Sequence, residues 1–119
     1  MSLDGLRVLL VEDEAIIAMT AEDMLEELGC TMVATASNLA EAMDAVGREG
    51  FDAALLDINL NGVDSFPVAE RLREAGLPFV FTTGYGAAGR AQGYEEVPLV
   101  TKPYQLRDLE AAISTALGR

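Results

Sequence analysis

The chain has 119 residues, with eight Lys plus Arg against twenty Asp plus Glu, no His, a single Cys and a formal net charge of −12. Such a field repels nucleic-acid phosphates and anionic lipid, which argues against a general role on either, and the lack of His removes His-based acid–base catalysis, His-ligated metal and a phospho-His carrier role. Half the residues are apolar, and a chain of this length buries roughly two-thirds of its unfolded surface, so one domain over 1–119 is expected.

Met1 to Arg7 has neither the basic start nor the apolar core of a signal peptide. Leu6 to Val11 is a short apolar run ending in Glu12-Asp13-Glu14, a strand followed by an acidic helix start. From Ala15, the positions Ile16, Ile17, Met24, Leu25 and Leu28 fit one helical face, and Gly29 stops the helix. Cys30 is alone in an apolar stretch and reads as a small core residue rather than a nucleophile. Thr31 to Ala36 is β-branched and apolar enough for a second strand. Ser37 or Asn38 can cap the next helix, where Leu39, Ala42, Met43 and Val46 share a face before Gly47 and Gly50.

Phe51 to Leu56 is a third strand that runs straight into Asp57. Asn61-Gly62 makes a turn, and Asp64 or Ser65 can cap a helix that carries Phe66, Ala69 and Leu72 inward. Gly76 and Pro78 end that helix, and Phe79-Val80-Phe81 is the fourth strand. The alternation calls for a helix between Gly84 and Gly93, but Gly84, Gly86, Gly89 and Gly93 support it poorly. Val97 to Val100 is the last strand, Thr101-Lys102-Pro103 a loop, and Gln105 to Leu117 a helix with Leu106, Leu109, Ile113 and Leu117 on one face. No apolar run approaches the roughly 20 residues of a membrane span, and a soluble, acidic protein of a reducing compartment, the cytoplasm, is expected.

This is β-α repeated five times, with unbroken apolar strands. Strands of that kind are buried on both sides, which means a doubly wound α/β fold, a five-stranded parallel sheet with helices on both faces. Right-handed crossovers put the carboxyl ends of the strands along one edge, where ligands of open α/β sheets bind.

To that edge the first strand delivers Glu12 and Asp13, the third Asp57, the fourth Thr83, and the loop after the fifth Lys102. Taken singly, each has an ordinary structural explanation. Acidic residues favour a helix start, Asp57 suits a turn, Thr83 a strand and Lys102 a solvated loop. Taken together they do not, because close carboxylates repel by a few kcal/mol per pair at an effective dielectric of about 20. A bound cation relieves that repulsion. Oxygen-only ligands favour a hard ion such as Mg²⁺, and an ionised Asp beside it can attack phosphorus in line while Lys102 and Thr83 meet the equatorial oxygens.

Leu9-Leu10-Val11-Glu12-Asp13-Glu14, Leu55-Leu56-Asp57-Ile58-Asn59-Leu60, Phe81-Thr82-Thr83-Gly84 and Thr101-Lys102-Pro103-Tyr104 resemble the four signature segments of response-regulator receiver domains. The resemblance spans nearly the whole chain and implies a flavodoxin-like sheet of order 2-1-3-4-5. It also implies that Asp57 is the phosphoacceptor and Asp13 a direct Mg²⁺ ligand. Glu12 then acts on the metal through water, and Asn59 offers it a backbone carbonyl. Thr83 becomes the switch hydroxyl, Lys102 the partner of the phosphoryl group, and the Lys102–Pro103 bond is expected cis.

Three positions depart from the family's common pattern. Leu99 stands where receivers usually carry an aromatic, which puts the usual coupling of hydroxyl and ring in doubt. Asn61 stands where many have Pro. Phe81-Thr82-Thr83-Gly84-Tyr85 resembles the subgroup with a Phe-Ala-Thr-Gly-type segment, whose fourth helix is short or mobile, and Tyr85 is either a substitute aromatic or a surface ring.

The implied function is a stand-alone phosphoacceptor served by a sensor histidine kinase, with output through contact with a further protein partner. The chain ends one helix after Lys102, so no output domain is expected within it, although a domain cut from a longer regulator fits as well. It is not expected to be a turnover enzyme, since a phosphatase using an Asp nucleophile wants a second carboxylate where Asn59 stands. A nucleotide site wants a glycine-rich turn where Glu12-Asp13-Glu14 stands. The remaining alternative is a degenerate receiver that only docks to proteins.

Overall fold

Short apolar runs closed by polar residues make short strands, and the computed structural model, which describes residues 3–48, 50–84 and 93–118, contains them in that form. In chain order the elements are β1 (Arg7–Val11), α1 (Ala15–Glu27), β2 (Thr31–Ala36), α2 (Leu39–Arg48), β3 (Ala53–Asp57), β4 (Asn59–Leu60), β5 (Val63–Asp64), α3 (Phe66–Glu74), β6 (Phe79–Thr83), β7 (Leu99–Thr101) and α4 (Leu106–Leu117). Five strands form one parallel sheet in the order β2-β1-β3-β6-β7. Counted along the chain, that is the expected flavodoxin-like order.

Alternation along the strands divides the core between the two faces. Leu9, Val11, Leu56 and Phe81 pack with Ala42 and Val46 of α2 and with Val68, Ala69 and Leu72 of α3. Val8, Leu10, Leu55, Val80 and Val100 pack with Ala18, Ala21 and Leu25 of α1 and with Leu109 and Ile113 of α4. Cys30 is buried in the second cluster, as expected of a core residue, and burial pushes its thiol up. Among the described residues no helix is long and apolar enough to cross a membrane.

Several local expectations need correction. Ile16 does not face the core. It is 79% exposed, and α1 turns the small residues Ala18 and Ala21 to the sheet instead. β2 is not buried on both sides, because it is an edge strand and only Ala36 is fully buried. The last strand begins at Leu99, two residues after Val97, since Pro98 has no N–H to give a ladder. Asn61-Gly62 is more than a turn, for it closes the antiparallel hairpin of β4 and β5. With φ of 55° at Asn61 and 84° at Gly62, both central residues are left-handed, the type I′ pattern that suits the twist of a two-residue hairpin. Four helices lie among the described residues, and the helix expected after Gly84 falls at 85–92, outside them.

α2 is capped as its sequence suggests. Asn38 Oδ1 accepts the Glu41 N–H at 2.8 Å, and Glu41 Oε1 accepts the Ser37 N–H at 2.8 Å. At the carboxyl edge of the sheet, Asp57 is paired in register with Thr82, and Thr83 with Thr101. The ends of β1, β3, β6 and β7 therefore meet at one place.

Candidate functional site

Each candidate side chain is held by the strand that carries it. The Glu12 N–H donates to the Ala36 carbonyl at 2.9 Å, so the residue after β1 is pinned between β1 and β2. The Lys102 N–H donates to the Thr83 carbonyl at 2.8 Å, and the Lys102–Pro103 bond is cis, as expected. Asp57 closes β3 and is 4% exposed, while Glu12 is 1% exposed.

One carboxylate oxygen from each of Glu12, Asp13 and Asp57 lies within 4.8 Å of the others. Lys102 Nζ stands 2.7 Å from Glu12 Oε1 and 2.8 Å from Asp57 Oδ2. The backbone satisfies part of the rest. Glu14 N–H donates to Glu12 Oε2 at 3.1 Å, Asn59 N–H to Asp57 Oδ1 at 3.2 Å, and Asn61 N–H to Asp13 Oδ2 at 2.9 Å. The Asn59 side chain is engaged in the hairpin, where its Oδ1 accepts the Gly62 N–H at 2.8 Å.

A cavity of about 770 Å³ opens over this group, lined by Asp13, Asp57, Asn59, Thr83, Lys102 and Tyr104. Five of the six residues singled out in the sequence thus reach one cavity. Glu12 lies behind it, reached through Lys102. Leu99, a departure from the pattern the sequence resembles, is half-buried against the core opposite Phe81, and Tyr85 lies outside the described residues.

The electrostatics follow from burial and pairing. Burial pushes the Glu12 carboxyl up to about 7 even though the Lys102 ammonium pulls the other way. Burial raises Asp57 for the same reason. Burial pushes Asp13 up most strongly of any single effect, but the Asn61 N–H, hydrogen bonds from Glu12 and its own backbone, and the Lys102 charge together hold its carboxyl below the usual range. Lys102 loses hydration, yet its two carboxylate partners raise it and keep it charged. Burial disfavours the ionised forms of Glu12 and Asp57, and a single ammonium faces three carboxyl groups. A hard divalent cation, which binds oxygen ligands and competes with protons for them, fits this donor set.

Two participants have little sequence signal. The Asn61 backbone N–H reaches Asp13 only because of the turn's left-handed residues, for which Asn-Gly is the cue. The Tyr104 hydroxyl stands 3.5 Å from Glu12 Oε1, and its cue is only that an aromatic follows Lys102-Pro103.

Residues 8–114 match the response regulator receiver domain family. The transcriptional regulatory protein TcrA of Mycobacterium tuberculosis is 36% identical over 124 residues, covering 98% of this chain and 47% of TcrA. The chain spans about half the length of the curated relatives it matches. Among solved structures, SdrG from Sphingomonas melonis Fr1 superposes with a TM-score of 0.86 at 40% identity, over 98% of this chain and 99% of its own. The response regulator PhyR from Brucella abortus does so with a TM-score of 0.80 at 33% identity, over 96% of this chain and 48% of its own.

Proposed function

The chain belongs to the response regulator receiver family of two-component systems, and on that premise we propose that it accepts a phosphoryl group on Asp57 from the phospho-His of a sensor histidine kinase. The observation that carries this reading is the environment of Asp57. It is a carboxylate 4% exposed at the floor of a cavity, with an ammonium at 2.8 Å and two further carboxylates in the same cluster.

Glu12, Asp13 and Asp57, with the Asn59 carbonyl, would hold Mg²⁺. Bound there, the ion supplies positive charge opposite the phosphoryl oxygens. An Asp57 carboxylate oxygen forms the new bond to phosphorus as the phosphorus–nitrogen bond of the donor breaks, and that electron pair stays on the imidazole nitrogen. Lys102 balances charge that moves outward from Asp57, and the Thr83 hydroxyl offers a hydrogen bond to a phosphoryl oxygen. Thr83 ends β6 in register with Thr101 on β7, so a shift of its hydroxyl acts on the adjoining surface. Allosteric coupling of that kind changes partner affinity by ~1–3 kcal/mol.

Output is through protein contact, in the cytoplasm where such a kinase would be loaded. The chain fits the subgroup with a Phe-Ala-Thr-Gly-type segment. The support is Phe81-Thr82-Thr83-Gly84 together with the glycines that follow it, Gly86, Gly89 and Gly93. With Leu99 at the position of the usual aromatic, the switch runs through Thr83 without a ring on β7.

The test is intact-protein mass after incubation with Mg²⁺ and phosphoramidate. One added phosphoryl group is expected, absent without metal and absent in Asp57→Asn. If no adduct forms and no beryllofluoride complex forms either, phosphotransfer is abandoned in favour of a docking module.

A further inference from the structure

The Glu12 carboxylate is walled into the protein, and its donors differ sharply in length. Lys102 Nζ holds Oε1 at 2.7 Å, whereas the Tyr104 hydroxyl stands 3.5 Å from the same atom, the long limit of a hydrogen bond. Tyr104 is itself buried, its ring packed in the core cluster beneath α1 and α4. The Thr82 side chain neighbours the Tyr104 hydroxyl, and Thr82 is paired with Asp57 in the ladder. The phenol proton is directed to Glu12, since the Tyr104 hydroxyl is the donor in that contact.

Lys102 serves two acids at once, Glu12 and Asp57. When Asp57 becomes an acyl phosphate, the negative charge leaves its carboxylate for the phosphoryl oxygens farther out. An ammonium that follows the charge moves away from Glu12. A buried carboxylate oxygen that loses its donor is costly unless another is ready.

Resting on the phosphoacceptor reading above, we propose that Tyr104 is a positioning residue for phosphoryl transfer, its hydroxyl taking over Glu12 Oε1 as Lys102 turns to the phosphoryl group. One loop thus carries the donor that leaves and, two residues later, the donor that replaces it. The long Tyr104 contact is the resting state of that exchange, in which Lys102 still occupies the oxygen.

The experiment compares wild type, Tyr104→Phe, Thr82→Val and the double variant. Labelling rates are followed by intact mass across phosphoramidate concentrations at saturating Mg²⁺. Tyr104→Phe keeps the ring, so its melting temperature without donor should stay within about 4 °C of wild type. Its maximal labelling rate should fall about three- to ten-fold, the worth of one hydrogen bond, with the half-saturating donor concentration unchanged. The double variant removes the Thr82 hydroxyl that would otherwise face the bare ring, and should recover stability while labelling no faster than Tyr104→Phe. A Tyr104→Phe labelled at the wild-type rate overturns the proposal, as does a rate that recovers with stability in the double variant. A wild type that takes no label overturns the phosphoacceptor reading itself, and this inference with it.

Discussion

The backbone N–H of Asn61 donates to Asp13 Oδ2 at 2.9 Å, so the tip of the β4–β5 hairpin braces an acidic residue that follows the first strand. Asn61 has φ of 55°, which Pro cannot adopt, and Pro also lacks the N–H. Asn61→Pro is therefore expected to cost about 2–4 kcal/mol in urea unfolding. Asn61→Gly keeps donor and turn and should stay within about 1 kcal/mol. Equal stabilities for the two variants would show that this turn does not hold Asp13.

Lys102 is the shared cation of two buried acids, so its removal strands both. Lys102→Met is expected to destabilise the metal-free protein by about 3–5 kcal/mol at pH 8. The loss should shrink at pH 5, where Glu12 and Asp57 can take up protons. Urea unfolding at both pH values measures this. A loss of at most about 1 kcal/mol at pH 8 would mark Lys102 as an ordinary surface partner.

The raised Glu12 carboxyl sets a pH dependence with a definite sign. Its ordinary value is 4.5 and burial brings it to about 7 in the fold, so between those values the native state binds more protons than the unfolded chain. Metal-free stability should therefore fall as pH rises through that window and level off above it. Asp57, also raised, acts in the same direction. Asp13, lowered, acts oppositely and only at more acid pH, where its contribution is lost on protonation. Thermal melts from about pH 5.5 to 8 should show this decline. Mg²⁺ should stabilise more at pH 8 than at pH 6, because protons compete with it. Metal-free stability that climbs over this range would contradict the assignment.

Ser65 precedes α3 as its cap, yet its buried Oγ has no hydrogen-bond partner. The Asp64 side chain accepts the Phe66 N–H instead, at 3.2 Å. Replacing a capping Ser by Ala ordinarily costs about 1 kcal/mol. Here the hydroxyl caps nothing, and Ser65→Ala should be neutral within about 0.5 kcal/mol or stabilising. A full capping loss on denaturant unfolding would show that the hydroxyl is bonded in solution.

Most of the fold was legible because its signals are local. Short apolar runs such as Leu9-Leu10-Val11 and Leu55-Leu56 carry their own stops, and Asn38, one of two caps the sequence offers, opens α2. The errors fell where neighbours in space decide. Ile16 fits the apolar spacing of α1, but Ala18 and Ala21 face the sheet. β2 has the composition of a buried strand and lies at an edge. Composition describes what a segment can bury, whereas strand order decides what is there to bury it.

The same division runs through the site. Sequence alone determined which polar side chains are present and at which edge they gather. Asp57, Thr83 and Lys102 each follow an apolar run, and parallel strands joined by right-handed crossovers send every such terminus the same way. Only the tertiary structure decided who touches whom. Lys102 reaches Asp57 across 45 residues and Tyr104 reaches Glu12 across 92. Those contacts depend on the register of one strand against the next and on the depth at which each carboxylate comes to rest. Local preference carries no record of them, because a hydrogen bond of this kind forms only after the sheet has set the distance.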